Sequence, residues 1–480
     1  MIGDIKINIA YSEILVYTQD NRILYPNSNV AEYDIHPWHT AKFDKLNEIE
    51  KELGITFPYT LRSDDSQNLR EYLCKFYSQN FEGLMDNTYG NFSVYSLDEI
   101  YQTDENFVYP IVLYNNDLFF KYDTIDLDEK VVECVKNKRA KVCILQATEG
   151  FFGQNDNDYI WVSNLATKYG FDKEDIVVIT SNFQTTDIYP KLLESGHIKD
   201  NFTIHPYSYF QHSLWFHEGG QLLKEETKEK MRGTFNWFLN NNKINKKEYH
   251  FLCFNRVTKP HRLAIFGELM INEKLKDKSI KSLGGCVNKF PMEFFNILNA
   301  HLGEDYKYNK KRLLEFYLNY DASKHYVYDE DDLENNKAAN LNKIAHSRTF
   351  VNIVTESLID DRSIFYSEKT YKPMYTCQPF IIFGNPNSLS KLRELGFKTF
   401  DKWWDESYDI ETNFTRRFEK IVEVIEEIAS WDIDKCYQVT QEMEEVLVHN
   451  FNNMINNHEV IKLFTVLENK PRSYEVNKLI

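Results

Sequence analysis

Two short clusters of charged and hydroxyl residues, each just beyond an apolar run, carry the strongest chemical signal in the chain. In the first, Thr355, Glu356 and Ser357 follow an apolar stretch ending at Val354, and Ser367, Glu368 and Lys369 follow after a loop. In open α/β sheets, ligands bind beyond the carboxyl ends of the strands. Ser367 can cap a helix, which puts Glu368 and Lys369 in its first turn. A helix N-terminus offers unpaired N–H groups and a positive dipole end, a combination suited to a diphosphate. Lys369 adds a point charge, and a fixed Glu368 carboxylate could accept hydrogen bonds from ribose hydroxyls. A plainer reading is that Glu368 complements the helix dipole and Lys369 is solvated. Pro373 lies inside this helix and should kink it.

The second cluster is Phe254-Asn-Arg-Val-Thr-Lys-Pro-His-Arg262. Here a strand ends and Arg256, Lys259, His261 and Arg262 gather in the loop and first helical turn, an arrangement suited to a pyrophosphate. Arg262 reads equally well as a surface residue. A third candidate is Glu149, in Ala147-Thr-Glu-Gly150 beyond another apolar run. Group transfer to a hydroxyl needs a general base, and a carboxylate at a strand end is placed for that work. Asp156, Asp158, His212 and His217 compete for the role. The aromatic stretch from Phe202 to Phe216 could stack on a sugar, although a packed strand explains it more simply.

The elements that would position these residues alternate in type. Before residue 240, Lys141–Gln146 and Asp175–Thr180 are continuous apolar runs of the kind found in buried parallel strands, with a helix from Tyr159 to Tyr169 between them, ended by Gly170. Residues 1–125 read as mixed structure, with strands at 5–18 and 107–121 and helices near 40–52 and 66–79. The polar run Leu239–Lys247 reads as a linker. Beyond it the pattern restarts: strand Tyr249–Phe254, helix Pro260–Leu275, strand Phe350–Val354, helix Glu368–Tyr375, strand Pro379–Phe383 and helix Leu389–Leu395. Phe414–His458 is amphipathic helix, broken at Trp431–Asp434. The expectation is an α/β chain with an N-terminal Rossmann-like domain over 1–240, a second over 248–412 and a helical segment over 413–480.

Bulk properties narrow the function classes. The chain has 480 residues, 42% of them hydrophobic, and so can bury more than one core. Its formal net charge of −17 disfavours non-specific nucleic-acid binding. The seven cysteines are scattered without a Cys-x-x-Cys pair, which argues against a zinc site or a disulfide framework and for a reducing, cytoplasmic setting. No leader-like segment and no long apolar span is read. The acidic run Asp329–Asn336 reads as a solvated loop, and Trp403–Asp409 is too polar to be buried throughout. Gly-x-Gly-x-x-Gly, Walker, His-Glu-x-x-His and Gly-x-Ser-x-Gly motifs are absent. No Asp-x-Asp follows a strand, so no obligatory metal is expected.

The segment from Phe350 to Phe400 resembles the donor-binding segment of GT-B glycosyltransferases, in particular the α1,3-fucosyltransferases. That family reads roughly Phe-Glu-Asn-Ser, then Thr-Glu-Lys, a helix and a Pro-Val strand; here Val354-Thr-Glu-Ser357 precedes Ser367-Glu-Lys369. The two glutamates lie 12 positions apart (368 − 356), slightly more than in that family. The same block is similar to glycosyltransferase-like proteins of phages and environmental sequences. The resemblance implies two Rossmann-like domains facing a cleft. It implies a nucleotide-diphosphate sugar as co-substrate, held by Arg256, Lys259, Thr355, Glu356, Ser367, Glu368 and Lys369, with no tightly bound cofactor. It also implies a base such as Glu149 and inversion at the sugar. Retention would follow if Glu356 and Glu368 act as a pair. Alternatives are transfer to hydroxymethylated DNA bases, a nucleotide-sugar or glycan-binding protein without turnover, and a phosphosugar-binding α/β protein. The acceptor, whether glycan, protein or modified DNA, is not legible.

Overall fold

The computed structural model describes residues 7–11, 92–96, 100–112, 127–146, 152–208, 210–211, 225–284, 291–320, 341–359 and 362–456. Glu149, His212, His217, the run 329–336 and the helices expected near 40–52 and 66–79 lie outside them. The chain divides into two compact units, and Tyr209–Asn457 form the second of them.

The first unit is built on six parallel strands: β1 (Ile7–Tyr11), β2 (Phe92–Ser96), β3 (Phe107–Val112), β4 (Ala140–Gln146), β5 (Ile176–Thr180) and β6 (Thr203–Pro206). Their order is β2-β1-β3-β4-β5-β6, and every neighbouring pair is parallel. All of β5 is buried, as its unbroken apolar run requires when both faces of a sheet are covered. Helices α1 (Glu129–Lys136), α2 (Asp156–Tyr169) and α3 (Thr185–Glu194) connect β3 to β6. Gly170 ends α2 with φ 68°, a left-handed C-cap that glycine adopts without a Cβ penalty. The core joins Phe107, Val142 and Ile144 of the sheet to Tyr159 and Val162 of α2.

In the second unit four parallel strands, β7 (Tyr249–Asn255), β8 (Ser279–Leu283), β9 (Thr349–Thr355) and β10 (Phe380–Phe383), run in the order β10-β9-β7-β8. The order reverses between β7 and β9, which makes their carboxyl ends a topological switch point. Around the sheet lie α4 (Glu225–Ile244), α5 (Pro260–Ile271), α6 (Pro291–His301), α7 (Lys310–Leu318), α8 (Lys343–Arg348), α9 (Glu368–Tyr375) and α10 (Ser388–Glu394). Three more helices complete the unit: α11 (Phe414–Ala429), α12 (Ile433–Glu442) and α13 (Glu444–Asn456). Both sheets are Rossmann-like, as the alternation of apolar strands and helices implied.

Some boundaries differ from the sequence reading. The polar run after Leu239 is helical through Ile244, and the division after Ser208 falls ahead of α4 rather than behind it. The physical reason is a hydrophobic stripe on α4: Met231, Phe235 and Phe238 are buried, and Phe235 stacks on Phe451 of α13 at 4.0 Å. The C-terminal helices belong to the same unit, since Phe418 of α11 stacks on Phe383 at 5.8 Å. In Trp403–Asp409, Trp404, Glu406, Tyr408 and Asp409 are buried. The carboxylates are sheltered because they have partners: Asp409 accepts from Leu389 and Ser390 N–H at the start of α10, and Glu406 from Phe400 N–H at 2.7 Å.

Candidate functional site

The β7 and β9 ends are tied together at the switch point. The register Leu252↔Asn352 continues to place Asn255 beside Thr355, and the Thr355 hydroxyl donates to Asn255 Oδ1. Beyond β7 the chain exposes Arg256 and Val257 and then enters α5 at Pro260, with Lys259 as the N-cap. Proline suits that first helical position because its missing N–H would have had no partner there. Gly284, at the end of β8, bonds through its N–H to Asn255 O at 2.7 Å. A Cβ on Gly284 would stand 2.9 Å from Arg256 O, so only glycine admits the Arg256 backbone so closely.

The first turn of α5 grips the loop beyond β9. Lys259 Nζ donates to Ser357 O, His261 Nε2 to Glu356 O at 2.6 Å, and Arg262 to Thr355 O at 3.3 Å and Glu356 O at 3.1 Å. Arg262 is therefore not a surface residue: it is 2% exposed, and its guanidinium donates to the backbone carbonyls of Val257, Thr355 and Glu356. His261 is fully buried. Burial, reinforced by the neighbouring Arg262 charge, holds its imidazole pKa well below the ordinary value, so the ring is neutral.

Glu356 is the hub of the other side. Its carboxylate accepts from Ser357 N–H at 3.0 Å, from Ser367 N–H at 3.1 Å and from the Thr370 hydroxyl, and the residue is 1% exposed. It thus fastens the N-terminus of α9 to the end of β9. Ser367 caps α9, as its sequence position implied, by accepting from Lys369 N–H. The next residues, Glu368 and Lys369, are half-buried and paired at 2.7 Å. Burial pushes the Glu368 carboxyl up, but the Lys369 and Lys372 charges outweigh it and hold its pKa below the usual carboxylate range. Glu368 is a fixed carboxylate.

The structure brings Arg256, Lys259, Thr355, Glu356, Ser367, Glu368 and Lys369 to one place, the carboxyl end of the second sheet. One hydrogen-bond chain runs from Lys259 through Ser357 and Glu356 to Ser367 and α9. Two residues of that place had no sequence signal as site residues. Arg417 of α11 is 2% exposed with its guanidinium 6.0 Å from the Phe383 ring, and Asn385 follows β10. Arg417 sits in an amphipathic helix whose pattern does not announce a buried cation. In the first unit, Asp158 is 1% exposed and accepts from Gly153 N–H at 2.7 Å, which makes it a turn-holding carboxylate. Asp156 lies in the first turn of α2. Among the described residues no cluster of His, Cys, Asp or Glu could hold a metal ion, and no helix is long and apolar enough to cross a membrane.

No protein-family model and no curated protein matches the chain. Among solved structures it is similar to α,α-trehalose 6-phosphate synthase from Burkholderia multivorans, at 8% identity over 96% of this chain and 98% of that one, with a TM-score of 0.36. What the site can do is therefore read from its own residues.

Proposed function

We propose that the second unit binds a nucleoside diphosphate sugar and that the protein is a glycosyltransferase of the GT-B type. The observation that carries this is the convergence, at the switch point of a parallel sheet, of a basic loop and a fixed Glu–Lys pair at a helix start. Arg256, Lys259 and Lys369 suit the diphosphate. A bare anion would meet Glu356 and Glu368 at the start of α9, so the carboxylate of Glu368 fits neutral ribose hydroxyls better than phosphate. The Phe350–Phe400 resemblance to donor domains supports the same assignment.

In the reaction, the acceptor hydroxyl oxygen attacks the anomeric carbon while the bond from that carbon to the diphosphate breaks. The electron pair leaves on the phosphate oxygen, where the cationic loop balances the growing charge. The hydroxyl proton passes to a general base, for which Glu149 remains the candidate. The engagement of Glu356 by three donors favours inversion, because a retaining pair would need that carboxylate available to the sugar. To test the proposal, the protein is incubated with UDP-, GDP- and dTDP-sugars and nucleoside diphosphate release is followed. We expect release from one donor, lost in Glu368→Ala and Arg256→Ala variants that remain folded. Binding of a donor without release from any would leave a binding protein; neither binding nor release would remove the proposal.

A further inference from the structure

Lys369 stands at an unfavourable place for a cation. It is the second residue of α9, where unpaired N–H groups and the positive end of the helix dipole repel positive charge. Neighbours one position apart do not face each other on a helix. Yet the Lys369 ammonium reaches back to the Glu368 carboxylate at 2.7 Å and to the Ser367 hydroxyl at 3.4 Å. The carboxylate thus holds Lys369 against the field of its own helix. The Glu368 and Lys369 side chains are 14% and 19% exposed, so the pair is largely covered but opens to the surface. Lys372 lies four residues beyond Glu368, the spacing at which Glu and Lys side chains meet on one helix face. Burial raises the Glu368 carboxyl pKa, and Lys369 and then Lys372 more than offset it. Lys372 therefore continues to compensate the carboxylate when Lys369 turns away.

The pair joins two groups that suit different parts of one ligand, Lys369 a phosphate and Glu368 hydroxyls. While they hold each other, neither is available. An oxyanion brought to Lys369 replaces the carboxylate as its counter-charge, an exchange of one anion for another. The carboxylate is then released to accept from hydroxyls. We propose that the Glu368–Lys369 pair is an autoinhibitory latch, which the phosphates of the ligand open and which then presents Glu368 to the ligand's hydroxyls. Phosphate alone and nucleoside alone must each break the pair, and together they break it once. The two parts of the ligand are thereby coupled positively and reciprocally, and a ligand without phosphate is disfavoured. The latch regulates the site of the nucleotide-sugar reading and rests on that reading for the identity of the ligand.

Two measurements test the latch. The Glu368 carboxyl carbon, assigned by its loss in Glu368→Gln, is followed by NMR as inorganic pyrophosphate is added. We expect the signal to move in wild type toward its position in Lys369→Met, and to change little in Lys369→Met. Calorimetry then compares uridine, guanosine, adenosine, cytidine and thymidine with and without pyrophosphate. One nucleoside should bind wild type about fivefold more tightly with pyrophosphate present. Lys369→Met should bind it that tightly without pyrophosphate and gain nothing from its addition. A lysine that only contacts phosphate would leave nucleoside affinity unchanged on its removal. Where a nucleotide binds wild type, nucleoside binding no tighter in Lys369→Met than in wild type overturns the latch, as does a Glu368 signal that pyrophosphate does not move. If no nucleotide binds wild type, the nucleotide reading fails and the pyrophosphate titration alone decides. Movement in wild type and not in Lys369→Met then supports an oxyanion latch, and no movement overturns it. Thermal melting checks the fold of Lys369→Met, and Lys369→Gln takes its place if it fails.

Discussion

At the scale of single residues, the second unit separates carboxylates that hold the site from one able to serve it. Glu356 has its oxygens occupied by Ser357, Ser367 and Thr370, whereas the Glu368 carboxylate pairs with the Lys369 ammonium. Glu356→Ala leaves buried N–H groups unpaired and a gap beside Gly384, and should cost on the order of 2–4 kcal/mol in urea unfolding. Glu368→Ala should cost far less stability and remove nucleotide binding, so the two variants separate support from service. A third residue reports on pH. His346 is 3% exposed, with Nδ1 facing Gln378 Oε1 at 2.6 Å, and burial pushes its imidazole pKa down to about 3. The unfolded chain takes up this proton near the ordinary histidine value and the folded protein does not. Stability from this group is thus full at neutral pH and falls as pH drops from about 6.5 toward 3. Replacing His346 with Gln should flatten that part of a stability–pH curve; an unchanged slope would remove His346 as its source.

At the scale of elements, strand ends and caps do the positioning. Ser367→Ala removes the α9 cap and should cost about 1 kcal/mol. Gly284→Ala should push back the Arg256 backbone, weakening nucleotide binding more than it lowers the melting temperature. Much of this scale was legible in the sequence. The span Glu368–Tyr375 follows directly from Ser367 and the spacing after it, and β5 from an unbroken apolar run, since a strand covered on both faces has no polar alternation to hide it; β9 is apolar apart from Asn352 at its centre. The end of α4 was misread because Leu239–Lys247 is polar, and its helical form comes from Phe235 and Phe238 packing in the second unit, information that is not local. The burial of Arg262 is hidden from the sequence for a related reason. Its burial depends on the carbonyls of Thr355 and Glu356, about 93 residues away in the chain, which spacing around Arg262 cannot reveal. Asn385 carried no signal at all, because an Asn-Pro turn looks the same with its amide paired or unpaired.

At the scale of the whole molecule, a net charge of −17 coexists with a local gathering of Arg256, Lys259, Arg262, Lys369 and Arg417. A phosphate site there would be a local feature, because the surrounding field opposes extended polyanions. Duplex DNA should show no measurable retardation by the protein at physiological salt; retention of DNA that weakens steeply with added salt would instead favour the modified-DNA acceptor. The most direct measurement of the central claim is calorimetric titration with UDP, GDP, ADP, CDP and dTDP in wild type, Glu368→Ala and Glu356→Gln. One nucleotide should bind wild type and lose at least about tenfold in Glu368→Ala without loss of fold, whereas Glu356→Gln should lose stability as well. Silence from all five nucleotides, or a nucleotide bound equally well by wild type and Glu368→Ala, would contradict a nucleotide site at the carboxyl end of the second sheet.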